Sequence, residues 1–512
     1  MRSNIPYRAP SRWRVASLAA SLAAALAALP AAVVAAPEPP PTANKRLQEF
    51  LDKVYAREYG KLVERYADEL IEAGKAALAG AFPEQARLAR KRLEKFAPDR
   101  AAGLEIPKDL PAKNPDGAEA EKLQAMRNRL QRLEDDHANR LVRFAESCYT
   151  NGLVSRAYEL MFEVLKHNPD QHAARLNTGF AKWKDQWVTK FAFGRLRQGL
   201  EDHPRLGWLP KALLPKYDAG QRLLDGRWVT PDQERAVRGT WEKAWEIETA
   251  HYRIRTNKGL EEGVEFGRRA EELYDIFFRA FIGYFNPKKH SEILFKVDDR
   301  PAEKKHLIYY FATREDYEAE GKAKHGGMFG GRLPLGYYTT ADLACHFYYT
   351  GRFDLSTLYH EGAHQLFAES RPDDAGGGWG GGGYWVVEGI ACYLETLKRE
   401  ADGDFRVGDP GNGRIRHAAA QVKEGKQKPL RALMAMDQGA FLQGDALSNY
   451  NQSAAVVLFL MHGRDGRYRE DFVRLIDQVY RGKGGSLDAL AAMLGVPGDP
   501  LEKEWLEFMK AL

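Results

Sequence analysis

From residue 45 to about 215, apolar and charged positions recur at helical spacing with few β-branched runs, which predicts a succession of helices. A Pro- and Gly-containing loop (Ile106-Pro107, Asn114-Pro115-Asp116-Gly117) interrupts them between about 104 and 120. Residues 216–245 read as a connector. In it, Gly226-Arg227-Trp228-Val229 is strand-like. Thr230 then supplies a helix N-cap, Pro231 the first helical position and Gln233 the third residue of a capping box. From 246 the period changes. Thr249–Thr256 alternates as a strand does, and a helix is expected from Leu260 to Phe285. Ile293–Val297, Leu307–Phe311, Leu335–Thr339 and Leu343–Tyr349 read as further strands, and a helix begins near Asp354. Ala454–Met461 is an apolar run too short to span a bilayer, so it reads as a buried helix ending near His462-Gly463. Phe472–Tyr480 and Leu501–Leu512 are amphipathic helices that complete an α+β domain over 246–512.

Two helical stretches share a form. Ala86–Leu93 is closed by Ala97-Pro98-Asp99, and Ala157–Leu165 by Asn168-Pro169-Asp170, with Gly152 placed for a turn before the second. In each, a small residue permits close packing and a Pro stops the helix. This is similar to the second helix of a tetratricopeptide repeat, and residues 45–215 are read as an all-α, degenerate repeat-like region. A plain helical bundle fits the pattern equally well.

Composition narrows the compartment and the partners. Val15–Ala36 is an uncharged, Ala- and Leu-rich run behind Arg2, Arg8, Arg12 and Arg14, and Pro37-Glu38-Pro39-Pro40-Pro41 follows it. Residues 1–36 therefore read as a signal peptide and 37–44 as a Pro-rich linker, which sends the chain to the periplasm, cell surface or medium. An uncleaved anchor is the rival, since the run is long enough to span a bilayer. The net charge is +5, and removing those four arginines leaves +1. A near-neutral body argues against nucleic acid or anionic lipid as a partner. Cys148, Cys345 and Cys392 form no CxxC pair and read as buried apolar residues.

The chemistry-bearing motif is His360-Glu361-Gly362-Ala363-His364. Two His at i and i+4 share one helix face, and both imidazoles can reach one Zn²⁺. Glu361 sits beside them, where a general base for a metal-bound water belongs. Catalytic zinc takes three protein ligands and keeps one position open. The third candidate is Glu388, in Trp385-Val-Val-Glu388-Gly389-Ile-Ala391-Cys-Tyr393-Leu-Glu395, on a second expected helix. With both motifs in this order, the region from 246 to about 480 resembles the gluzincin metallopeptidases, the thermolysin- and aminopeptidase-N-like clan. It resembles most the peptidase-MA-like exported bacterial proteins, whose second motif reads Trp-x-x-Glu-Gly-x-Ala-x-Tyr-x-Glu.

The resemblance implies an α+β zincin-like fold holding one zinc through His360, His364 and Glu388. It further implies peptide-bond hydrolysis with Glu361 as general base, acting on a peptide or protein. Tyr450 occupies a place like that of the oxyanion-stabilising Tyr in such enzymes; a half-buried aromatic is the plain alternative. Glu395, on the same helix face as Glu388, either orients a ligating His or is a solvated charge. Gly336–Thr339 or Leu343–Tyr349 is expected to form the edge strand that pairs with substrate. His346, alone on a strand, is read as structural. The Gly-rich stretch 373–383 reads as a flap over the cleft or a plain connector. The competing reading is an interaction protein: the helical half binds a partner, and the metallopeptidase-like domain is a scaffold with little turnover.

Overall fold

The computed structural model describes residues 54–107, 116–284, 305–326, 334–370, 383–400 and 405–512. The expected signal peptide 1–36, the linker 37–44, the strand at 293–297 and all but the last residue of the Gly-rich stretch 373–383 lie outside them. No helix among the described residues is long and apolar enough to cross a membrane.

Two helical hairpins open the structure. In the first, α1 (Ala56–Ala79) packs on α2 (Pro83–Phe96); in the second, α3 (Gly117–Thr150) packs on α4 (Val154–His167). Ala86 and Ala157, the small residues of the two matching stretches, are fully buried, so each lets its helix lie close against its neighbour. Pro98 ends α2 and starts a short 3₁₀ segment.

The helices do not continue to 215. Phe180–Val229 instead forms three successive β-hairpins, each followed by a short helix. β1 (Phe180–Trp183) pairs with β2 (Gln186–Thr189) ahead of α5 (Lys190–Arg197). β3 (Leu200–His203) pairs with β4 (Gly207–Pro210) ahead of α6 (Leu214–Asp218). β5 (Arg222–Leu224) pairs with β6 (Arg227–Val229) ahead of α7 (Pro231–Arg238). The units repeat in sequence: Gly179, Gly199 and Gly220 precede the first strands with positive φ, and Trp187, Trp208 and Trp228 sit in the second strands. Asp225-Gly226 closes the last hairpin with both residues at positive φ, the two-residue turn that suits strand twist. Thr230 caps α7 in the expected capping box.

A five-stranded mixed sheet follows, ordered β10-β11-β9-β8-β7. Its strands are β7 (Trp245–Glu248), β8 (Tyr252–Thr256), β9 (His306–Phe311), β10 (Gly336–Thr339) and β11 (Ala344–Tyr348). β8, β9 and β11 are parallel neighbours; β7 and β10 run antiparallel at the two edges. Of the two expected edge segments, 336–339 is the edge and 344–348 is internal. Helix α8 (Leu260–Ala280) crosses between β8 and β9, and α9 (Arg314–His325) between β9 and β10.

The rest is mainly helical, apart from a short antiparallel pair (Lys398–Arg399 with Phe405–Arg406): α10 (Leu355–Glu369), α11 (Tyr384–Leu394), α12 (Gly413–Lys423), α13 (Ala446–Gly466), α14 (Arg469–Tyr480), α15 (Leu487–Leu494) and α16 (Gly498–Ala511). Ala454–Met461 is buried throughout, and α13 kinks at Gly463. One large hydrophobic core joins the sheet, α8, α10, α11 and the C-terminal helices. Of the first four helices, α4 reaches into it, whereas α1 and α2 pack in clusters of their own. Tyr158 of α4 packs edge-on against Phe278 of α8, and Arg469 pairs with Glu159 at 2.8 Å. Buried Glu470 accepts hydrogen bonds from the Ser155 amide at 3.0 Å and its hydroxyl at 3.3 Å. Leaving buried Glu470 without these donors costs about 1–3 kcal/mol, so α4 is tied to the second half of the chain.

Candidate metal centre

Helix α10 begins where Asp354 caps it: its carboxylate accepts the Thr357 amide at 3.2 Å and the Thr357 hydroxyl at 2.8 Å. The helix buries Leu358, Tyr359, Ala363, Leu366 and Phe367. Gly362, inside the His-Glu-x-x-His stretch, faces α8 so closely that a Cβ there would meet Leu273 Cδ2 at 2.5 Å. That contact fixes the rotation of α10, and with it the direction of both imidazoles.

All of α11 is buried. A Cβ on Gly389 would lie 2.9 Å from the Ser453 carbonyl oxygen of α13, so this glycine sets the distance between the two helices. Trp385 Nε1 donates to the Gly485 carbonyl at 2.6 Å, and the Tyr393 hydroxyl meets His462 Nε2 at 2.7 Å. The spaced residues around Glu388 thus hold the helix that carries it.

Three side-chain atoms converge between α10 and α11. His360 Nε2 and His364 Nε2 are 3.2 Å apart, and Glu388 Oε2 lies 3.3 Å from the first and 3.6 Å from the second. Donors bound at about 2.0–2.1 Å to one tetrahedral centre stand about 3.3–3.4 Å apart. Glu388 Oε2 is also buried without a hydrogen bond, although two ring nitrogens are close to it. Proximity without hydrogen-bond geometry is what donors aimed at a common point produce. The donor set therefore fits a zinc ion.

Glu395 is buried and bonded, which decides between its two readings. Its Oε1 lies 2.7 Å from His360 Nδ1, and Arg414 of α12 grips the same carboxylate at 2.8 and 3.0 Å. With Nδ1–H donating to Glu395, the His360 Nε2 lone pair is left facing Glu388 and His364. Cys392 also lies within ligand distance of His360 and Glu395. Arg414 already neutralises that carboxylate, so the Glu388 side is the one with an unmet charge.

Glu361 Oε2 accepts the Tyr338 amide of edge strand β10 at 3.0 Å. This ties the candidate base to the strand beside it. Burial raises the Glu361 carboxyl above its usual range; His360 and His364 act against this, while Glu388 adds to it. Burial pushes Glu388 up as well, but His364 and His360 outweigh it and hold this carboxyl well below the usual range. Tyr450 lies within α13, its ring 6.4 Å from that of His360 and 5.1 Å from Phe441, with Arg414 over its face.

Two contributors escaped the sequence reading. Arg414 lies 19 residues beyond Glu395, a spacing with no local signal. Tyr384 lies one helical turn before Glu388; burial first, and then that carboxylate, push its hydroxyl far up. The i, i+4 spacing from Glu388 is the signal that marked Tyr384. Comparison with protein-family models, curated proteins and solved structures finds no match to this chain.

Proposed function

We propose that this chain is an exported zinc-dependent metallopeptidase, with His360, His364 and Glu388 holding one zinc ion. The triangle of ligand atoms at 3.2, 3.3 and 3.6 Å carries this reading. Zinc bound there supplies a water that is nucleophilic near neutral pH and polarises the scissile carbonyl. Glu361 takes a proton from the attacking water and passes it to the amine nitrogen as the C–N bond breaks. Glu395 and Arg414 keep His360 in the ligating tautomer. Tyr450, beside His360, offers a hydroxyl donor for the carbonyl oxygen as negative charge develops. The outer edge of β10, the last strand of the sheet and next to α10, is the surface on which an extended peptide adds as a further strand.

Two measurements test this. Metal analysis of the mature protein should find zinc that His360→Ala or Glu388→Ala removes from this site. Glu361→Gln should retain the metal yet lose cleavage of a peptide library. Equal behaviour of Glu361→Gln and the unmodified protein on that library would favour the interaction reading, in which the helical half is the working part.

A further inference from the structure

A second group of imidazoles and a carboxylate meets on the other side of the β10–β11 hairpin. His325 ends α9, His346 lies in β11, and Asp342 sits in the turn between β10 and β11. His346 Nε2 is 3.1 Å from Asp342 Oδ2, and His325 Nε2 is 3.7 Å from the same oxygen. The three ligand atoms lie within 4.8 Å of one another.

The two side chains His325 and His346 are only 2% and 1% exposed. Neither ring nitrogen of His325 makes a hydrogen bond, nor does Nδ1 of His346. Each buried polar atom left unmatched costs about 1–3 kcal/mol, so His325 in this position is costly unless something binds it. An Asp–His hydrogen bond accounts for His346 Nε2 but leaves both ring nitrogens of His325 without a hydrogen bond.

The rings are held in place from several sides. Tyr337 stacks flat on His346 at 4.5 Å and meets His325 edge-on at 5.7 Å, and Tyr309 closes the edge of His346 at 5.0 Å. Lys324 is the opposing cation, 3.8 Å from Asp342 Oδ2. Its ammonium also pairs with Glu320 at 2.9 Å and is partly exposed, so it can leave the carboxylate without breaking the cluster.

We propose that His325, Asp342 and His346 form a second divalent-metal site, of the zinc class. Two neutral imidazoles and one carboxylate suit zinc or cobalt better than the oxygen-preferring magnesium or calcium. The site shares no ligand with the first centre. It clamps the tip of the β10–β11 hairpin to the C-terminal end of α9. The same hairpin carries Tyr338, whose amide holds Glu361, so the clamp steadies the strand that flanks the first centre.

The test uses the full mature chain, stripped with a chelator and titrated with Zn²⁺, and with Co²⁺ read by its visible absorption. The unmodified protein should take two ions. His360→Ala with His364→Ala should keep one ion, and His325→Ala with His346→Ala should keep the other. Asp342→Asn should weaken the second site at least tenfold while leaving overall structure intact by circular dichroism, which guards against a misfolded double variant. A single ion in the unmodified protein, lost in the His360/His364 variant, would overturn the second site and leave the peptidase reading standing. One ion that survives in that variant and leaves with His325/His346 would support the second site and sink the peptidase reading.

Discussion

Replacing Glu395 with Gln asks whether a contact behind a ligand governs the metal in front of it. The side chain keeps its length, and its amide oxygen can still accept from His360 Nδ1, so packing is preserved. What disappears is the negative charge 2.7 Å from that nitrogen and the ionic partner of Arg414. Both effects weaken zinc binding. The imidazole becomes a poorer electron donor, and the guanidinium of Arg414, no longer neutralised, repels a cation held by the same ring. Removing such a partner typically costs 10–100-fold in metal affinity, or about 1.4–2.7 kcal/mol. The burial of Glu395 places the effect in this range, because solvent screens the lost charge poorly. Competition with a chromophoric chelator measures the change directly. Peptide cleavage at saturating zinc should fall less than affinity does. A Glu395→Gln protein whose zinc affinity stays within twofold of the unmodified one would show that the carboxylate is only a structural anchor for Arg414.

Gly389→Ala should destabilise the protein by about 1–3 kcal/mol and lower zinc affinity, because the new methyl meets the Ser453 carbonyl, a backbone atom that cannot rotate away, as well as Val457 Cγ2. The same change in an open helix would gain about 1 kcal/mol, so a rise in melting temperature would refute the close approach. Acid should weaken the helical half through two buried imidazoles. Burial, then Arg140, pushes His137 down to about 3, and burial, then His137 itself, pushes His167 down to about 3. The unfolded chain therefore takes up these protons first. Stability is full above about pH 6.5 and falls below it by about 1.4 kcal/mol per pH unit for each group. His137→Phe, stacking on Tyr66 as the imidazole does, should flatten that acid limb in urea titrations; an unchanged slope from pH 6 to 4.5 would assign it to other groups. Arg469→Met should weaken the contact between α4 and α14 and lower the urea midpoint, because Glu159 then keeps only the more distant Arg156 at 3.8 Å as its cation.

Local order was legible wherever neighbours in sequence supply the physics. Asp354 before an apolar helix, Thr230-Pro231 with Gln233, and the alternation at 249–256 each carry their own signal, because caps and pleats are built within a few residues. The His360/His364 pair was legible for the same reason: a helix turn alone brings the two rings to one face. The hairpins at 180–229 were not. Their strands are three or four residues long, too short to separate a period of two from one of 3.6, and only the recurrence of Gly and Trp about every 20 residues betrays them.

The sequence by itself determined the donor types and the elements that carry them, though not the hairpins at 180–229. Whether Glu388 faces the imidazoles depended on the rotation of α11, which is set by Gly389 against Ser453 and by Trp385 against Gly485. The role of Glu395 depended on Arg414, and that of His346 on a histidine 21 residues upstream and an aspartate in a turn. These are contacts between elements, and their geometry comes from packing the whole core, which no local spacing encodes.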